Sequence, residues 1–193
     1  MGYPEYVDVE GELYKINTDF RYAIMCDQIA RDETIDDYER GLAVLYVLYG
    51  DKGINASNEH KIQLLEKAKR YLSCDKEIEI TNEEPDMDYV QDMDYIEASF
   101  MSDFHIDLSK EEMHWWKFNK LINGLSNSDM GNCCILNRIR NLRNYDLKTI
   151  SDSKEKRRIK EAQDMFALKK NKEVELTEEQ KRSIEQFYRL TNS

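Results

Sequence analysis

Only two prolines and seven glycines occur in 193 residues, and no stretch approaches the 18 consecutive apolar residues of a membrane-crossing helix. So few breakers exclude a collagenous or turn-rich all-β chain, and the apolar content of 40% excludes wholesale disorder. The four cysteines, at 26, 74, 133 and 134, match no zinc spacing and are too sparse for a disulfide framework. They read as reduced thiols of a cytoplasmic protein. The opening "MGYPEYVDVEG" has neither a basic start nor an apolar signal core. H-E-x-x-H, C-x-x-C, the phosphate-binding G-x-x-x-x-G-K-[ST] and the nucleophile elbow G-x-S-x-G are all missing, so no motif calls for a cofactor.

What is present is charge on a helical pattern. Charged residues make up 35% of the chain and the net charge is −11, which argues against a general nucleic-acid binder. The signs are segregated. Residues 81–112 hold eleven acids and one lysine, whereas residues 137–170 hold eleven bases and five acids. The two segments either attract each other within one fold or face different partners.

The periodicity predicts a mostly α fold, a compact multi-helix bundle with a short N-terminal β-hairpin at 6–16. Helices are expected from Asp19 to Ala30, from Thr34 or Asp36 to Gly50, and from Ser57 to about Leu72. Further helices are expected at 87–104, around the tryptophans, at 132–143, over the basic stretch 151–171 and from Thr177 onward. Tyr89, Met93, Ile96, Phe100 and Phe104 form one narrow apolar stripe on the fourth of these. The whole chain, 1–193, reads as a single helical domain. The loop at 76–85, with Pro85, offers an alternative division into an N-terminal lobe 1–75 and a C-terminal lobe 86–193.

The segment "EEMHWWKF" at 111–118 sets two tryptophans side by side. Ser109 with Glu112 predicts a capping box for this helix. On a wheel, Trp115 shares an arc with Phe118, Leu121, Ile122, Leu125 and His114, while Trp116 and Met113 fall opposite, beside Lys117 and Lys120. Two readings stand. A crowded bundle buries both faces, or Met113 and Trp116, flanked by Lys117 and Lys120, form a partner-contact patch. His114 reads as a core histidine bonded to a neighbour.

Catalytic constellations are thin. "DFHID" places Asp103, His105 and Asp107 at alternate positions, where a strand would aim them at one metal, giving a metal-dependent hydrolase as one alternative function. The acids of 81–97 read as solvated, and no histidine adjoins Cys133 in sequence. In "LNRIRNLRNYDL", Arg138, Arg140 and Arg143 interleave with apolar residues and Tyr145. A nucleic-acid module is the second alternative. The spacing equally fits an amphipathic helix whose arginines meet the acidic segment or a protein partner. The expectation is a non-enzymatic protein.

Several segments, including "YPEYVDVEGELYKINTDFRYAI", "DDYERGLAVLYVLYG", "EPDMDYVQDMDYIEASFMSDFHIDLS", "EEMHWWKFNKLINGL" and "LNRIRNLRNYDL", resemble a tail-region protein family of phages and prophages of Gram-positive bacteria. Residues 84–146 carry the resemblance most specifically, through Met113, His114, Trp115, Trp116 and Phe118, then Asn137, Arg138, Arg140, Arg143, Tyr145 and Asp146. "SNSDMGNCC" (126–134) spaces the two motifs. The family's gene usually lies between the major tail protein and the tape-measure protein. The resemblance implies a tail assembly chaperone that keeps the long, helical, apolar-striped tape-measure protein soluble. It further implies the tail tube protein as a partner, the host cytoplasm as location, and absence from the mature virion. A second copy of the chain is the alternative partner for the Met113 and Trp116 patch. It supplies no catalytic residues.

Overall fold

A hairpin opens the fold because Glu10 and Gly11 both take positive φ (54° and 86°), the geometry a two-residue turn between twisted strands demands. Strand β1 (Tyr6–Val9) pairs antiparallel with β2 (Glu12–Lys15), and Val7 lies opposite Tyr14. Val9 and Tyr14 are buried, whereas Tyr6 and Leu13 stand on the outer face, exposed. The computed structural model describes residues 2–77, 85–127 and 133–169.

Among the described residues seven α-helices follow, giving the mostly α, compact architecture with an N-terminal hairpin that the periodicity predicts. Helix α1 (Phe20–Ala30) starts where the Asp19 side chain accepts from the Arg21 N–H. Helix α2 (Asp37–Ile54) starts with a reciprocal Asp36/Glu39 capping box. Gly50 does not end α2. It kinks it, at φ 63° and ψ −156°, a conformation open to glycine, and the helix resumes to Ile54. Helix α3 (Asn58–Leu72) is capped by Ser57.

The predicted helix at 87–104 is shorter than expected. Helix α4 spans Met93–Phe104. Upstream, the Asp88 carboxylate accepts from the Val90 and Gln91 N–H groups, a local turn that competes with helical bonding. Tyr89 therefore leaves the α4 stripe and packs edge-on against Trp115, ring centroids 5.7 Å apart. Helix α4 ends with His105 in the left-handed region, its N–H bonded to Met101 O. Helices α5 (Trp115–Asn123), α6 (Ile135–Arg143) and α7 (Ser153–Phe166) complete the body, with a single 3-10 turn at Leu147–Thr149. The helix expected from Thr177 lies outside the described residues.

One contiguous buried cluster runs from Val9 through Leu48, Leu64 and Phe100 to Leu136. At its centre Phe118 stacks with Phe20 (centroids 4.5 Å apart, planes 5° apart) and with Phe100 (5.2 Å, 14°), joining α5 to α1 and α4. Ser99 links α4 to α6, its hydroxyl donating to Tyr95 O and accepting from the Leu136 N–H. Helix α7 differs from the rest, since none of its residues is buried.

Candidate partner-binding surface

The tryptophan helix begins five residues later than a Ser109 cap implies, and the reason is tertiary. Residues 18–20 and 113–115 pair as a short antiparallel bridge. Trp115 N–H donates to Thr18 O (2.7 Å), Phe20 N–H to Met113 O (2.8 Å), and Met113 N–H to the Asp19 carboxylate (3.0 Å). His114 then caps α5, its Nδ1 accepting from the Trp116 N–H while its Nε2 lies 3.0 Å from Pro4 O. Both bonds form together in the neutral tautomer protonated at Nε2. The histidine read as bonded to a neighbour thus sits at a helix start, with Tyr3 stacked on its ring. Ser109 turns back instead, its hydroxyl donating to Asp107.

This start point corrects the wheel. Met113 precedes the helix and is 4% exposed, buried beneath the bridge, so it is not part of an outer patch. The two indoles lean together on the end of α3. Trp115 Nε1–H donates to Leu72 O and Trp116 Nε1–H to Tyr71 O, both at 2.9 Å. Carbonyls of a last helical turn lack intrahelical partners, and two adjacent indoles satisfy two successive ones. Trp115 is buried. Trp116 is half-buried and lies over the Tyr71 ring, with planes 27° apart. Of the flanking lysines, Lys117 is exposed and Lys120 sits above the Tyr3 ring.

Beside this junction α1, α2, α3 and α5 enclose an open groove of about 610 Å³. Its floor is apolar: Ala23, Ala30, Val44, Leu65, Leu72 and Ile122, with Met87, Tyr89 and Trp115 along one side. Exposed Lys69 and Lys76 stand on its edge, and Asp27 and Arg140 also line it. Burial pushes the Cys26 thiol up to about 12 and the Tyr89 phenol up to about 12, and it raises the Asp27 carboxyl against the pull of Arg31. A thiol held protonated in this way is not an activated nucleophile. The groove is a surface for apolar contact, the kind that accepts one face of a helix. Its residues come from six separated segments, and of those singled out in the sequence Tyr89, Trp115 and Arg140 line it, none of them for that reason.

The three arginines of α6 take different places. Arg143 grips Asp92 in a two-pronged pair with both contacts at 2.7 Å, and the two side chains are 11% and 1% exposed. Arg140 pairs with Asp86 at 3.1 Å. Arg138 is exposed and donates to Cys133 O, and Tyr145 is exposed. The basic and acidic segments thus meet within the fold through Arg140 and Arg143. The "DFHID" residues do not converge. Asp103 accepts from the Ser126 N–H at 2.8 Å. Asp107 is held by Ser109 and Lys110, which draw its carboxyl down to about 2. Among the described residues no three His, Cys, Asp or Glu side chains are grouped as metal ligands would be, and no helix is long and apolar enough to cross a membrane.

The family model described as "Bacteriophage Gp15 protein" matches residues 3–168. No curated protein and no solved structure matches the chain. The chain belongs to this bacteriophage protein family.

Proposed function

We propose that this member of the bacteriophage Gp15 family is a non-enzymatic tail assembly chaperone. It binds the tape-measure protein and keeps it soluble in the host cytoplasm until the tail tube protein assembles around it. The chaperone then leaves, and the mature virion does not contain it. The observation that carries the reading is the open apolar groove between α1, α2, α3 and α5. An apolar stripe of a tape-measure helix fits such a groove by burying side chains at helical spacing. The exposed Lys69 and Lys76 meet acids flanking that stripe. The net charge of −11 keeps the loaded complex in solution.

Co-expression with the tape-measure protein, followed by pull-down from the soluble fraction, tests this. Ala30 is exposed at the end of α1 and lines the groove, so Ala30→Trp fills the space without entering the core. Met87→Glu places a charge on its side wall. Both variants are expected to retain the native circular dichroism spectrum and to lose the tape-measure protein to the insoluble fraction. Undiminished capture by both folded variants removes the groove from the interaction and the reading with it.

A further inference from the structure

The chain leaves helix α7 beside the groove. Helix α7 is anchored through its C-terminal half, where Gln163 Nε2 donates to Leu142 O and Tyr145 O and Phe166 O accepts from Arg143. Three residues further on, Lys169 and Gln91 clasp each other. The Lys169 N–H donates to Gln91 Oε1 at 2.8 Å, and Gln91 Nε2 donates to Lys169 O at 3.0 Å. Gln91 follows closely on Met87 and Tyr89, which form the side wall of the groove. Arg140, also in the lining, lies one α6 turn before Arg143. The exit of α7 is thus tied to the turn that bounds the groove, and residues 170–193 set out from there.

The sequence of that segment suits the groove. "EVELTEE" at 173–179 holds four glutamates and no base. Thr177 with Gln180 predicts a helix start, and Ile184, Phe187 and Tyr188 then fall at i, i+3 and i+4, within about 100° of one another. An acidic lead therefore precedes one apolar stripe. After Gln180 the charges are of mixed sign, so only 173–179 has an electrostatic preference. The groove offers the counterpart. Asp27 is matched by Arg31 at 2.9 Å and Arg140 by Asp86 at 3.1 Å. Exposed Lys69 and Lys76 on the edge are in no ion pair among the described residues. Reach is ample, since residues 170–176 extended at about 3.3 Å each span roughly 23 Å.

We infer that the chain's own C-terminal segment, residues 177–190, docks in the groove. Ile184, Phe187 and Tyr188 lie on the apolar floor, and the glutamates of 173–179 meet Lys69 and Lys76. The tether holds the segment at an effective concentration of order millimolar, so a weak contact suffices. An outside helix enters only by displacing it, and the apparent affinity of that partner falls by the fraction of time the groove stands open. The segment is then an internal competitor, released when a longer apolar stripe arrives. This consequence rests on the chaperone reading. The docking itself is measured with no tape-measure protein present, so either can fail alone.

Hydrogen exchange of the full chain, read peptide by peptide, tests it. Amides of 180–190 are expected to exchange about tenfold or more slowly than in chains whose contact is broken. The contact is broken from either side, by Ile184→Asp with Phe187→Asp on the segment, or by Ala30→Trp or Met87→Glu on the groove. Each is expected to release the segment while amides around Leu45 and Leu48 in α2 stay protected, which separates lost docking from lost folding. Lys69→Glu with Lys76→Glu also speeds exchange there, more at low salt than at high. Fast exchange over 180–190 in the wild-type chain, or slow exchange unchanged by both groove variants, overturns the assignment. So does protection that grows with protein concentration, which puts the segment in the groove of a second copy. In pull-downs at limiting concentration, the Ile184→Asp, Phe187→Asp chain is expected to capture about tenfold more tape-measure protein than wild type. Equal capture by the two overturns the competition. Capture by neither, with the protection intact, removes the chaperone reading and upholds the docked segment.

Discussion

Truncating Arg143 to alanine removes a four-bond clasp and strands a buried charge. Its Nη1 and Nη2 hold both oxygens of Asp92, Nη1 also reaches Asp86 O at 2.8 Å, and Nε reaches Phe166 O at 2.7 Å. Asp92, 1% exposed, keeps only the Asp88 N–H as a donor when the arginine is gone. Breaking a buried pair from one side costs about 3–5 kcal/mol, most of it the uncompensated carboxylate. For a chain of this size 1 kcal/mol moves the melting midpoint by roughly 2–4 °C, so the expected fall is roughly 6–20 °C. Arg143→Lys keeps the charge but not the fork, and is expected to lose about 1–3 kcal/mol. Arg143→Met combined with Asp92→Leu removes both charges and recovers much of the loss. Urea unfolding near neutral pH, followed by circular dichroism, supplies the cycle. A loss under about 1 kcal/mol for Arg143→Ala, or strict additivity with Asp92→Ala, refutes the claim that this pair ties α4 to α6.

The tryptophans are expected to divide unequally. Trp115→Ala costs about 3–5 kcal/mol as a buried aromatic, whereas Trp116→Phe keeps a ring on Tyr71 and loses about 1 kcal/mol with the bond to its carbonyl; thermal melts distinguish them. Stability is expected to fall in alkali. The folded chain keeps protons on Cys26 and Tyr89 up to about 12, and on Tyr49 and Tyr71, while the unfolded thiol and phenols release theirs from about pH 9–10. These groups' contribution is therefore complete below about pH 9 and is lost as pH rises toward 12, at about 1.4 kcal/mol per pH unit for each group in its window. Urea midpoints at pH 8, 9.5 and 11 read it. His105→Gly relieves a left-handed residue (φ 56°) at the end of α4 and is expected to add roughly 0.5–1 kcal/mol, read from the same melts.

Features fixed by neighbouring residues were legible in the sequence. The Glu10–Gly11 turn and the caps at Asp19, Asp36 and Ser57 each depend on side chains within a few positions, and each appears where the local chemistry put it. The tryptophan segment was misread for the opposite reason. Ser109 and Glu112 offered a local box, but backbone pairing of 113–115 with 18–20, nearly a hundred residues away, decided where the helix begins. Met113 was placed on an outer face by a helical wheel that does not yet apply at its position. Tyr89 left its stripe because Asp88 bonded the next two amides. The meeting of acidic and basic segments was legible as one of two outcomes, and burial of Asp92 shows that at least part of the charge is spent internally. The groove had no periodic signature, since it exists only once four helices and the 87–89 turn are assembled.

The unequal settings of the two indoles turn the protein into its own optical probe. Trp115 lines the groove, with Tyr89 edge-on to its ring, while Trp116 lies over Tyr71 outside the groove's lining. The chain has no third tryptophan. Trp116→Phe therefore leaves a single emitter on the groove wall. Anything that fills the space packs against that largely buried ring and changes its emission. One cuvette can then follow occupancy of the groove in real time, without a label and without separating bound from free.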